Sequence, residues 1–260
     1  MSHDGESWFL LNASPEIREQ LESFAPLWPR RARHSPIAGI VLTNGDLDHV
    51  LGLLSLRESH PLTLHATNAV ARGFCEGNVL YRTLERFPGQ VTWRRLVLGE
   101  EQALGGAGSG LVVEAFAVPG KRPIHLEGRG RASPEDNVGL LVRELEPRRT
   151  LAYVPAAAAW TETLDAQLAG ADAVFFDGTF WSSAELVTTG VGDKRAEDMA
   201  HLPVGGPAGG LSRLAALGAS RRVLIHINNT NPLLRDDAPE RAEVRAAGVE
   251  IAFDGMELTL

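Results

Sequence analysis

Short apolar runs rich in Val, Ile, Leu and Phe alternate along the chain with segments whose apolar positions recur every third or fourth residue. The runs predict strands at 8–11, 37–42, 62–66, 92–97, 111–117, 138–144, 150–154, 173–176, 223–227 and 249–252. The second pattern predicts helices at 16–22, 49–57, 68–72, 161–169, 210–217 and 238–247. Pro-Gly pairs at 88–89 and 119–120 mark turns, and the Gly-rich stretch 105–110 is short enough for a hairpin loop. No internal repeat is visible. A strand-rich first half, with strand–helix units in both halves, predicts an α/β fold of two sheets covered by helices, built as one domain over residues 1–260.

Composition narrows the function classes. At 260 residues and 44% hydrophobic, the chain can bury a large core. Its net charge of -8 argues against nucleic acid, whose phosphates call for a basic excess. The clusters Arg30-Arg31-Arg33 and Arg221-Arg222 read as solvated surface. No run approaches the length of a membrane-spanning helix. Residues 1–6 are acidic and carry no apolar signal segment. A lone cysteine, Cys75, excludes an intramolecular disulfide. These features fit a cytoplasmic protein without a membrane partner.

Candidate chemistry sits where apolar runs end, on loops that a rigid scaffold holds in place. In Thr43-Asn44-Gly45-Asp46-Leu47-Asp48-His49 a run ends in a polar loop and a Leu-rich helical segment follows. Asp48 offers a carboxylate oxygen and His49 an imidazole nitrogen. Neighbours on a strand point to opposite faces, so both reach one ion only where the chain turns between them. The pair reads equally as a helix cap with a first-turn histidine. His226 leaves an apolar run and meets Asn228, Asn229, Thr230 and Asn231, side chains that donate and accept well. That loop reads as a binding wall or as an Asx-rich turn beside a core histidine. Asp177 ends another apolar run before Gly178, and reads as a metal ligand, as the partner of a ligating histidine or as a turn residue. His201 precedes a Gly-rich loop at 205–210. The loop leads into a helix whose first N–H groups suit an anion, or it is plain surface.

Taken together, these residues resemble the pyrroloquinoline quinone biosynthesis protein B family, whose fold is that of the metallo-β-lactamases. The resemblance covers nearly the whole chain. It runs through Trp8-Phe9-Leu10-Leu11-Asn12-Ala13-Ser14-Pro15, the loop and helix at 42–56, and Asp136-Asn137-Val138-Gly139-Leu140. It continues through 175–181, 199–206, 226–232 and Phe253-Asp254-Gly255-Met256. It implies a metallo-β-lactamase-like αββα sandwich. Family members begin with a Gly-rich strand and a Cys-rich zinc knuckle. Residues 1–260 contain neither, so the fold is expected to be N-terminally shortened.

The superfamily's metal loop reads Thr-His-x-His-x-Asp-His-x-x-Gly. Its first two histidines serve one metal and its Asp-His pair a second. Here Asn44 and Asp46 replace the first two histidines. Lys121 follows Pro119-Gly120 where a hydrolase carries His, and Pro155-Ala156 stand where a ribonuclease Z-like enzyme carries a bridging Asp. The second-metal positions Asp48, His49 and His226 remain. Two His and one carboxylate form the facial triad of non-haem Fe(II) oxygenases. Two-metal hydrolysis, which clamps oxygens between ions about 3.5–4 Å apart, is then disabled.

The resemblance therefore implies an iron-dependent hydroxylase. Its cofactor is Fe(II), with Zn²⁺ accepted by the same ligands, and its reagent is O₂. Its substrate is a tyrosine-derived, Glu-Tyr-like precursor of the quinone, and other proteins of that biosynthesis are its expected partners. Asp177 and His201 are expected to act at the cavity as catalytic residues. Lys121, Asn228, Asn229, Thr230 and Asn231 are expected to bind a polycarboxylate substrate. The competing readings are a non-catalytic carrier of the quinone or its precursor that assists transport, and a one-metal hydrolase.

Overall fold

The computed structural model describes residues 1–58, 60–105 and 108–260. The chain forms two compact units, the first comprising residues 1–115, 122–138 and 144–147, the second residues 116–121, 139–143 and 148–260.

In the first unit β1 (Trp8–Leu11), β2 (Ile37–Val41), β3 (Leu62–Ala66) and β4 (Val91–Arg95) lie side by side in that order, all parallel. Parallel strands covered on both faces read as unbroken apolar runs, and Ile40, Val41 and the following Leu42 are fully buried. The helices are α1 (Ile17–Ser23), α2 (Leu47–Val50) and α3 (Asn68–Gly77). Thr67 caps α3, its hydroxyl accepting the Val70 N–H at 3.3 Å. The core gathers Ile40, Leu42, Leu53, Leu64, Phe74 and Leu84. β5 (Glu101–Ala103) pairs antiparallel with β6 (Leu111–Ala117). Of the hairpin loop expected at 105–110, residues 106 and 107 lie outside the described residues.

The second unit carries β7 (Val138–Glu144), β8 (Arg149–Val154), β9 (Ala173–Asp177), β10 (Arg221–Ile225) and β11 (Glu250–Ile251). Their order is β11-β10-β9-β8-β7, and β8 to β11 run parallel. Its helices are α4 (Glu162–Leu168), α5 (Glu185–Thr188), α6 (Gly210–Ala216) and α7 (Pro239–Ala246). Thr161 caps α4 through the Leu164 N–H at 3.1 Å. Val154, Leu168, Phe176, Leu214, Leu224 and Val244 form the core.

The predicted elements are found, with shifts at two informative places. The strand expected at 223–227 ends at Ile225, because His226 turns the chain with a φ of 57°. Such left-handed backbone is uncommon for a residue with a side chain. The helix expected at 49–57 begins at Leu47 and tightens to a 3₁₀ segment over Leu51–Leu56. Gly52 sits where that change occurs. Its N–H donates to the Ala13 carbonyl at 3.0 Å, and a Cβ there would lie 2.1 Å from the Ser14 carbonyl oxygen. The short polar β5 and α5 have no apolar period to announce them. No helix of the described residues is long and apolar enough to cross a membrane.

Candidate metal centre

The first unit presents Asp48 and His49 on α2, after the buried end of β2. Asp46 is the residue before the helix, so Asp48 is not its cap; it lies in the first turn with its carboxylate more than half exposed. The helical turn brings Asp48 Oδ2 to 3.6 Å from His49 Nε2. Two atoms each about 2.1 Å from one ion lie roughly 3.0–3.4 Å apart at octahedral to tetrahedral angles, so the pair needs only a small adjustment to share one. His49 itself is buried. Its Nδ1 faces the Asn12 amide nitrogen and the Thr43 hydroxyl, each at 3.3 Å. Asn12 is held by its own left-handed backbone and by the Thr43 N–H, which donates to Asn12 Oδ1 at 2.9 Å.

Asn44 is committed elsewhere. Its Oδ1 accepts the Asp46 N–H at 3.0 Å, and its amide donates to Asn137 Oδ1 at 3.3 Å. The side chain in the first histidine's place therefore works as a loop brace.

The second unit presents His226, His201 and Asp177, whose nearest nitrogen and oxygen atoms lie within 4.8 Å of one another. Asp177 is fully buried at the end of β9. Its Oδ2 accepts the Ala157 N–H at 2.9 Å and His201 Nδ1 at 2.7 Å. Its Oδ1 accepts the Thr179 N–H at 3.0 Å and the Thr179 hydroxyl at 2.5 Å. Burial alone would push this carboxyl's pKa up. The charge and hydrogen bond of His201, with smaller help from His226 and Thr179, outweigh burial and hold it below the ordinary range.

An ionised carboxylate only accepts, which fixes the rest of the network. The single Thr179 hydroxyl proton goes to Asp177, so the oxygen, 2.7 Å from His226 Nδ1, accepts from that ring. Both histidines thus spend their Nδ1 protons toward Asp177, one directly and one through Thr179. In the neutral imidazoles Nε2 is left as the electron-pair donor. The two rings stack at 5.5 Å between centroids and 21° between planes. With four hydrogen bonds on its two oxygens, Asp177 is an orienting group for two histidines. Its hydrogen bonds make the turn reading alone insufficient, and they suit the partner of a ligating histidine.

The loops around this pair are braced internally. Asn231 is buried, donates to the Gly178 and Thr179 carbonyls at 2.8 and 3.2 Å, and accepts the Leu233 N–H at 2.9 Å. Asn228 donates to the Thr230 hydroxyl at 2.6 Å, which donates to Glu185 Oε1 at 2.5 Å. The buried Glu185 also accepts the Trp181 N–H at 2.7 Å. These side chains tie the 226–231 loop to the 178–185 loop. Asn229 is exposed and Lys121 partly buried. The anion reading of the Gly-rich loop is corrected: the Gly209, Gly210 and Leu211 N–H groups already donate to the Gly206, Pro203 and Val204 carbonyls. Thr179 and Glu185 were not singled out from the sequence, where a hydroxyl and a short-helix acid carry no distinguishing pattern.

A family described as a β-lactamase superfamily domain matches residues 7–227, which defines the class of this fold. Coenzyme PQQ synthesis protein B of Rhizobium meliloti (strain 1021) is 46% identical over 264 residues, 100% of this chain and 84% of the relative. Its counterpart in Xanthomonas oryzae pv. oryzae (strain MAFF 311018) is 40% identical over 265 residues, 100% of this chain and 86% of the relative. The crystal structure of Zn(2+)-bound PqqB from Methylobacterium extorquens matches with a TM-score of 0.93 and 42% identity, over 100% of this chain and 86% of that one. The chain belongs to the coenzyme PQQ synthesis protein B family, and its fold is the metallo-β-lactamase-like α/β fold that the resemblance implied.

Proposed function

We propose that the protein is an Fe(II)-dependent hydroxylase acting on a tyrosine-derived, Glu-Tyr-like precursor of pyrroloquinoline quinone, with Asp48, His49 and His226 as ligands of a single ion. The observation that carries this reading is the Asp177–Thr179–His226 chain, which commits Nδ1 of His226 as donor and leaves Nε2 for a metal. The commitment of Asn44 to Asn137 and to the Asp46 N–H supports a one-ion site over a two-ion one. Two imidazoles and a carboxylate suit iron(II) with open positions, and the same donors accept Zn²⁺.

Iron(II), when held there, supplies redox chemistry with O₂. The chain's own work is to hold and orient. Asp177 fixes two imidazoles from a water-excluded position, a placement that donors on loops require. His201 is assigned the phenol proton of the substrate, taken or returned at Nε2 while Nδ1 stays on Asp177. Lys121 and the exposed Asn229 are assigned to the carboxylates of the precursor.

The test is anaerobic reconstitution with Fe(II) or Zn²⁺, followed by a Glu-Tyr dipeptide under air or argon, with ascorbate as the two-electron reductant that takes the second oxygen atom of O₂ to water. O₂ uptake in step with hydroxylated product, only with Fe(II), is the expected result. Equal turnover with Zn²⁺ under argon would make the site hydrolytic. No turnover under any condition, with micromolar binding of the quinone, would make the protein a carrier.

A further inference from the structure

Away from the residues described above, the first unit gathers four arginines around one open cavity of about 740 Å³. Arg33 comes from the segment before β2, and Arg57 follows the 3₁₀ segment Leu51–Leu56. Arg82 and Arg86 come from the 3₁₀ turn Val79–Thr83 and the residues after it. All four are exposed. Arg33 donates to the Glu58 carbonyl at 3.4 Å, and Arg86 lies 5.5 Å over the Phe87 ring. Among the described residues the guanidinium groups of Arg57, Arg82 and Arg86 have no carboxylate partner.

Some other arginines are held by partners. Arg30 pairs with Glu6, Arg221 grips Glu250 at 2.5 and 2.8 Å, and Arg222 donates to the Ala215 and Leu217 carbonyls. In a chain of net charge -8, Arg57, Arg82 and Arg86 gather on one concavity in which, among the described residues, Glu58 is the one acid of the lining, so this patch is locally positive. Glu58 also belongs to a second cavity, of about 410 Å³, walled by Leu21, Leu27, Trp28, Leu56 and Pro61. Trp28 is 53% exposed there. This face lies at the starts of β2 and β3, whereas Asp48 and His49 follow the far end of β2.

We propose that this face docks an acidic segment of a partner protein, whose carboxylates meet Arg57, Arg82 and Arg86 while one bulky apolar side chain enters the cavity beside Trp28. A single exposed ion pair contributes little in water, so a small free anion gains little from exposed guanidiniums. A chain with several carboxylates engages them in series, with the bidentate geometry that Arg favours. The adjoining apolar cavity adds the burial of an anchor side chain, which small polycarboxylates lack.

The test uses the full-length protein and a fluorescein-labelled eight-residue peptide of Asp and Glu with one Phe and one Leu, read by anisotropy. Binding with a Kd of roughly 1–100 µM at low salt is expected, falling steeply as salt is raised. R57E/R82E/R86E should weaken it about tenfold or more, with an unchanged circular dichroism spectrum. The gentler R82Q/R86Q should give an intermediate loss, which covers any folding defect of the triple variant. Replacing the Phe and Leu of the peptide by Ser should also weaken binding. No binding to the native protein, or equal binding to R82Q/R86Q, overturns the proposal. Displacement of the peptide by an equal concentration of citrate also overturns it, in favour of a small-anion site.

Discussion

His49 and His226 are anchored by opposite means. His49 stands in the first turn of α2 and is buried, and its Nδ1 meets neutral groups at 3.3 Å. His226 stands on a loop, on a left-handed residue, and its Nδ1 meets a hydroxyl at 2.7 Å that is backed by a buried carboxylate. Packing already restricts the first ring, so long neutral contacts suffice to finish its orientation. The second ring has less packing around it. It takes its orientation from a hydrogen-bond chain ending in a charge, and charge-assisted bonds are roughly twice as strong as neutral ones. Where a scaffold element cannot hold an imidazole, polar chemistry has to.

Asp177→Ala should break the stronger anchor with the largest effect. It removes the direct partner of His201 and the relay to His226. It also strands the Ala157 and Thr179 N–H groups, at about 1–3 kcal/mol each. Metal affinity measured by titration calorimetry should fall about 10–100-fold, and the urea midpoint should drop. Normal metal content and turnover in this variant would remove Asp177 from the site.

A paired measurement sharpens the contrast. Thr179→Val keeps shape and deletes only the hydroxyl relay, whereas Asn12→Ala deletes a neutral contact to His49. Metal affinity should fall about tenfold in the first, and by less in the second. Equal losses would show that the two histidines depend on their partners alike.

The smallest effect is expected from acid. Asp177 is held below the ordinary carboxyl pKa of 3.8 in the folded protein, so the folded state binds its proton less readily than the unfolded one. Its contribution is complete above that ordinary value and is lost as pH falls below it toward the folded pKa. Urea midpoints followed from pH 5 downward should fall more steeply for the native protein than for Asp177→Asn. Parallel curves would mean that the charge on Asp177 does not stabilise the fold.

Much of the architecture was legible because strand and helix patterns are local. The run Ile40-Val41-Leu42 marks a buried strand wherever it is met, and the core uses it as one. The end of β10 was not legible. His226 and Ile227 continue an apolar run, and nothing nearby in the sequence marks a positive φ. Gly52 was visible as a motif glycine, but its reason is the Ala13–Ser14 backbone passing within contact distance, from almost forty positions away.

The amino-acid sequence by itself determined which side-chain types stand at these loop positions. Asn44, Lys121 and Pro155-Ala156 are residue identities, and no packing turns them into imidazoles or carboxylates. The positions of the strands along the chain follow from apolar runs in the same way. Only the tertiary structure decided what Asp177 does. Its hydrogen-bond donors come from Ala157, Thr179 and His201, and its reach to His226 crosses the 47 positions between Thr179 and that ring. Hydrogen bonds depend on distance and direction in space, and spacing along the chain carries neither once the partners lie on different loops.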